Sequence, residues 1–253
     1  MSESTTAAPR RIPSGLIALT PGTLEASRMD GGSAMLDSME RAASAAIEGG
    51  VRSIMLREPA LEDGLLFELA QRLRGRLDAA SPGDAWLGIH DRLHLARAAR
   101  ADAVHLGGAS LPLKAARLAI GTELPIGLSS HDGDGSDAAG ADFFFHAPAF
   151  PPTSKPLHGR DVLGWDGMER FAQKTERPVF ALGGVTVERL RERGEASTQL
   201  AGVALIGGLW GTDQTPITGS GSPLMDVARI SRAAAELCEL CAAQFDPLGE
   251  AAS

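Results

Sequence analysis

The chain has 253 residues, 43% of them hydrophobic and 22% charged, the balance of a globular protein with a sizeable core. Its 24 Lys and Arg stand against 32 Asp and Glu, a formal charge of −8, which excludes a general electrostatic footprint for nucleic acid but permits a local phosphate pocket. No run of ~18 apolar residues and no charged-then-apolar leader is present, so a soluble, cytoplasmic protein with no membrane partner is expected.

Residues 1–14 are rich in Ser, Thr, Ala, Pro and Arg without periodicity and read as a disordered leader. Short apolar runs then recur at Leu16–Leu19, Ser53–Leu56, Trp86–Ile89, Ala103–Leu106, Pro125–Leu128, Asp142–Phe145, Pro178–Leu182 and Gly202–Ile206. Helix-period segments alternate with them at Leu36–Glu48, Leu61–Ala79, Asp91–Ala99, Pro112–Ile120, Trp165–Lys174 and Thr186–Arg193. Continuously apolar strands separated by helices imply parallel pairing with both sheet faces covered. Eight of them predict a single (β/α)8 TIM barrel over residues 15–245. The competing doubly wound sheet would need a G-x-G-x-x-G turn after the first strand, where this chain reads Thr20-Pro21-Gly22-Thr23-Leu24.

Two segments break the rhythm. Ala147–Leu163 is a long Pro-rich loop with the character of a lid or binding loop, and Thr212–Ser222 is a Gly/Ser/Thr-rich connection to a final Ala-rich helix, Pro223–Ala243. Residues 246–253 read as a tail. Cys238 and Cys241 lie on one apolar helix face without a second pair to complete a metal site, and read as packing residues. With eight Phe, three Trp and no Tyr, a base-stacking platform is not expected.

Reacting groups of a parallel barrel sit at the C-terminal strand ends. Gly183-Gly184 and Gly207-Gly208 end the seventh and eighth runs, where backbone N–H groups bind phosphate and glycine permits its close approach. Arg57 ends the second run and reads either as an anion clamp or as the partner of Glu58. Lys155 reads as a phosphate contact or a solvated loop lysine, and Asp91 as a helix N-cap or a ligand for metal or ammonium. His131 has the chemistry of a proton shuttle, with His146 and Ser130 the next candidates; His94 and His105 read as structural.

These strand ends resemble the thiamine phosphate synthase/TenI family. The resemblance is carried by Met55-Leu56-Arg57-Glu58, Ile89-His90-Asp91-Arg92, Ala103-Val104-His105-Leu106-Gly107, Gly127-Leu128-Ser129-Ser130-His131, the stretch Ala147–Pro156 and Ala181-Leu182-Gly183-Gly184-Val185. It implies a thiazole phosphate held at the seventh and eighth strand ends. In the synthase branch it also implies a pyrimidine diphosphate with Mg²⁺ opposite, whose diphosphate leaves as the thiazole nitrogen captures the pyrimidine. His131 and Ser130 are the implied catalytic pair. Arg57, His90, Thr153, Ser154, Lys155, Gly183, Gly184, Gly207 and Gly208 are the implied ligand contacts, and Asp91 is the implied metal position.

The chain also departs from the family pattern. Pro59 stands where the family has lysine, His90 where it has asparagine, and Gly108-Ala109-Ser110 where it has an acidic run. These departures lean toward the TenI branch, a thiazole tautomerase that requires no cofactor, whereas Thr153-Ser154-Lys155 resembles the diphosphate loop of the synthases. A barrel that binds the phosphate ligand without catalysis is the third reading.

Overall fold

The computed structural model describes residues 11–25, 32–131, 140–151, 161–194, 198–211 and 226–245. Among the described residues, helices separate the eight strands everywhere but between β5 and β6: β1 (Gly15–Leu19), α1 (Ser33–Glu48), β2 (Ser53–Leu56), α2 (Asp63–Ala80), β3 (Trp86–His90), α3 (Leu93–Ala96), β4 (Ala103–Leu106), α4 (Leu113–Ile120), β5 (Ile126–Ser130), β6 (Phe143–His146), α5 (Gly164–Thr175), β7 (Val179–Leu182), α6 (Val187–Arg193), β8 (Gly202–Leu205), α7 (Gly207–Trp210) and α8 (Val227–Phe245). Each strand pairs in parallel with its sequence neighbours, and β8 returns to β1 to close the barrel. The expected (β/α)8 architecture is therefore the one found, because strands apolar on both faces leave neither face to water.

Alternate residues of each strand fill two separate cores. Ile17, Leu19, Met55, Trp86, Ala103, Phe143, Phe145, Phe180 and Ala204 pack the lumen. The intervening residues, among them Ile54, Leu87, Val104, Ile126, Phe144 and Val203, pack outward under the helices. Gly127 faces the lumen, and a side chain there would run into the Phe143 ring, so this large aromatic occupies the volume its neighbour leaves. Truncating Phe143 to Ala would cost about 3–5 kcal/mol on the usual scale for a buried aromatic.

The barrel floor takes in part of the segment read as leader. Arg11 donates to the carbonyls of Gly83 (2.6 Å) and Asp84 (2.8 Å), its own carbonyl accepts the Trp86 indole N–H at 3.1 Å, and Ile12 packs against the lumen core. Two helices differ from expectation. The helix expected over Asp91–Ala99 is only Leu93–Ala96, because Asp91 adopts a positive φ of 66° and forms a tight turn in which the Leu93 N–H reaches its carbonyl at 2.6 Å. Asp91 is therefore not the N-cap, which is Arg92. The short helix α7 follows β8 directly; its Trp210 indole donates to the Leu19 carbonyl at 2.5 Å and ties the last strand end to the first.

Cys238 and Cys241 are free thiols on α8, Cys241 buried and Cys238 against Gly50. Burial pushes both thiols up, Cys238 to about 11, so neither has the thiolate character of a reactive cysteine. Among the described residues, no helix is long and apolar enough to cross a membrane.

Candidate functional site

The C-terminal strand ends form a mouth whose inward positions follow from register. Ser129 pairs with Phe145 of the lumen, whereas Ser130 pairs with His146. The His146 ring stacks on Phe171 of α5, with centroids 3.8 Å apart and planes 6° from parallel. His146 therefore points away from the mouth, and Ser130 lies on that same outward face. Both were candidates for proton transfer, and the register corrects both. Ser129, which sequence reasoning passed over, is the serine on the inner face. The register decides it: Leu128 pairs with Leu106 and Phe144 on the outward face, which places Gly127 and Ser129 together on the inner side.

His131 follows at the top of β5, half-buried, with Nδ1 3.1 Å from the Ala147 carbonyl. A carbonyl only accepts, so Nδ1 carries the proton and Nε2 is left as an acceptor. His94 is on the outside of the barrel, its Nε2 2.7 Å from Asp63 Oδ2. His105 is fully buried, stacked 4.3 Å from Phe145 and tilted 5.4 Å from His90. Burial holds its pKa well below the ordinary histidine value, reinforced by repulsion from His90 and Arg57, so it is a neutral imidazole beneath the mouth.

Arg57 continues β2 into the mouth and its backbone N–H donates to Thr20 Oγ1 at 2.8 Å. Glu58 is not its partner. That buried carboxylate turns to the β1–α1 connection, where it accepts the Gly22 and Leu24 N–H groups at 2.9 Å each. Burial raises the Glu58 pKa although these N–H groups and Arg57 oppose it. The Arg57 guanidinium is half-buried beside Gly22 and forms no ion pair with a described residue, and its fork has the geometry to hold an anion.

At the end of the neighbouring strand β3, Asp91 meets two residues. The Ser110 hydroxyl donates to Asp91 Oδ1 and itself accepts the Gly107 N–H at 2.6 Å, while His90 Nδ1 lies 3.3 Å from Asp91 Oδ2. Burial first, and then the Arg57 charge, lower the His90 pKa against the pull of Asp91. These residues do not fit Mg²⁺ as a protein-built site. Asp91 has a neutral hydroxyl and an imidazole beside it rather than a second carboxylate, and the described residues contain no group of three His, Cys, Asp or Glu side chains able to hold a metal.

On the opposite side, Gly183 and Gly184 follow β7 with φ of 94° and 62°. A side chain on Gly184 would meet the Phe150 and Pro151 carbonyls, and one on Gly183 would crowd Pro148. Their glycine requirement thus comes from left-handed backbone and from the loop packed over them; Phe150 donates its N–H to the Gly183 carbonyl at 3.0 Å. Neither Gly183 nor Gly184 donates a backbone hydrogen bond to a described residue. Gly207 and Gly208 open α7, and a side chain on Gly208 would stand 2.9 Å from the Val185 carbonyl. The two glycine pairs therefore sit beside each other at the ends of β7 and β8. Thr153, Ser154 and Lys155 lie outside the described residues.

The family model of thiamine monophosphate synthase matches residues 29–209. A chain of Geobacter sulfurreducens is 41% identical over 164 residues, covering 64% of this chain and 74% of that one. The thiamine-phosphate synthase of Mycobacterium avium is 39% identical over 160 residues, covering 59% of this chain and 71% of that one. Among solved structures, thiamine phosphate pyrophosphorylase from Pyrococcus furiosus superposes with a TM-score of 0.66 at 23% identity, covering 90% of this chain and 95% of that one, a likeness of fold. With the model spanning residues 29–209 and curated relatives near 40% identity, the chain belongs to the thiamine monophosphate synthase family.

Proposed function

We propose that this chain joins a pyrimidine diphosphate to a thiazole phosphate, the coupling for which its relatives are named. The observation that carries the reading is the Arg57 guanidinium, half-buried at the mouth and without an ion-pair partner among the described residues because Glu58 is engaged elsewhere. In this reading the pyrimidine C–O bond breaks with both electrons leaving on the diphosphate, and Arg57 stabilises that developing charge. The thiazole nitrogen then uses its lone pair to form the new C–N bond. The thiazole phosphate lies at Gly183, Gly184, Gly207 and Gly208, whose backbone N–H groups face an anion without competing side chains. Ser129 and His131 stand between the two half-sites, and Lys155 of the long loop is assigned to the diphosphate. The relatives' names favour this coupling over the tautomerase expected from the sequence departures.

One observation keeps the tautomerase as the second reading: beside Asp91 stand a neutral hydroxyl and an imidazole rather than a second carboxylate for a cation. The test is incubation of the purified chain with thiazole phosphate and pyrimidine diphosphate, with and without Mg²⁺. Thiamine phosphate and free diphosphate are the expected products. Conversion of a thiazole carboxylate phosphate to its tautomer, with no thiamine phosphate formed, would replace the coupling by the isomerase reading. Binding of thiazole phosphate without either product would leave a ligand-binding barrel.

A further inference from the structure

Asp91 joins three segments that are distant in sequence. Its φ of 66° is a left-handed conformation that aspartate tolerates better than most residues, and its N–H is held by the His105 carbonyl at 3.0 Å. This backbone turn fixes the carboxylate between the end of β3 and the loop after β4. Oδ1 accepts the Ser110 hydroxyl, and Oδ2 faces His90 Nδ1 at 3.3 Å. Ser110 is fixed in turn, because its oxygen accepts the Gly107 N–H at 2.6 Å. A hydroxyl has one proton, and here it points at Asp91. Each Asp91 oxygen keeps a second lone pair beside these contacts; what they change is the donor set, in which Ser110 offers a hard dication a neutral oxygen in place of a second negative charge.

The same contacts have the opposite consequence for His90. With Asp91 Oδ2 3.3 Å from Nδ1, the negative charge favours the ring proton on that nitrogen, which leaves Nε2 as the acceptor. No described residue hydrogen-bonds to Nε2, and the histidine side chain retains 17% of its exposure. Beneath it lies Gly107, where even a Cβ would stand 3.2 Å from Nε2, so the absence of a side chain keeps that nitrogen uncovered.

We propose that Asp91 in this chain serves His90 rather than a divalent cation, so that this side of the mouth presents the Nε2 of an oriented imidazole to an N–H or O–H group of the ligand. The inference rests on the mouth being the ligand site and not on which of the two reactions takes place there. His90 in place of asparagine and Ser110 in place of an acidic residue then form one coupled change. The serine places a neutral hydroxyl on one carboxylate oxygen, and the histidine faces the other.

The test uses the intact chain and Mn²⁺ alone, followed by loss of the free-ion EPR signal. The unaltered chain is expected to show no stoichiometric binding below about 1 mM, Ser110→Asp to tighten binding at least about tenfold, and Asp91→Asn added to it to remove the gain. Stoichiometric micromolar binding by the unaltered chain that disappears in Asp91→Asn would overturn the proposal. A second measurement needs no variant: ¹⁵N NMR of His90 should show the neutral ring protonated on Nδ1, and a ring protonated on Nε2 would overturn the proposal equally. Thiazole phosphate titration reads the mouth separately, so its failure to bind removes the ligand-site reading while the cation and tautomer results decide the His90–Asp91 assignment.

Discussion

Ser130 and His146 stand side by side in the β5–β6 register, and the His146 ring lies flat on Phe171 outside the barrel wall. One residue earlier, Ser129 pairs with Phe145 on the lumen side. Thiazole phosphate binding should therefore separate the two serines. Ser129→Ala is expected to weaken affinity about fivefold, the worth of one ordinary hydrogen bond, while Ser130→Ala leaves it unchanged. Calorimetric titration of both variants checks this, and equal losses would contradict the assigned faces.

Gly184 gives a prediction about stability. Its φ of 62° and the carbonyls of Phe150 and Pro151 in the direction of a side chain make valine there a backbone clash. Gly184→Val should lower unfolding free energy by about 2–4 kcal/mol, within the range for strained and overpacked sites. Phosphate affinity measured on that variant would confound folding with binding, so denaturant unfolding is the informative measurement. A fully stable Gly184→Val protein would show that the loop at residues 147–151 yields readily.

Arg57 is expected to act on the anionic ligand alone. Arg57→Ala removes charge-assisted hydrogen bonds worth about 1.5–3 kcal/mol, a loss of roughly 10- to 100-fold in pyrimidine diphosphate affinity. Thermal stability should change little, because no ion pair with a described residue is lost. Arg57→Lys keeps the charge but not the fork, and should recover only part of the affinity. An unchanged diphosphate Kd in Arg57→Ala would remove the residue from the site.

His105 makes stability depend on pH. Its pKa in the folded chain is held well below the ordinary value by burial, so the unfolded chain binds the proton more readily. Stability contributed by the neutral ring is present above the ordinary histidine pKa of ~6.5 and is lost as pH falls through and below that value. His105→Phe preserves an aromatic ring against Phe145 and removes the titration. Melting temperatures between about pH 7.5 and 5.5 should consequently fall less for His105→Phe than for the unaltered chain. Parallel pH profiles would mean that the buried imidazole is not the group responsible.

Much of the barrel was legible in the sequence because a parallel strand under helices is apolar on both faces, and eight such runs separated by helical periods admit few other closures. Ser53–Leu56 and Ala103–Leu106 agree with the expected strands at both ends, and β3, β5 and β6 extend only one or two residues further, to His90, Ser130 and His146. The strand ends were legible too, and with them Arg57, His90, Asp91 and both glycine pairs. What the sequence alone left undetermined was the direction each of these residues faces. A strand buried on both sides carries little polar–apolar alternation, so the choice between Ser129 and Ser130 depends on pairing register, where a shift of one residue exchanges the faces. The partners were hidden for a related reason. Asp91 reaches Ser110 across β4, and Glu58 reaches Gly22 and Leu24 across the first two strands. Such contacts are set by the closure of the barrel, which brings strand ends far apart in sequence to within hydrogen-bond distance.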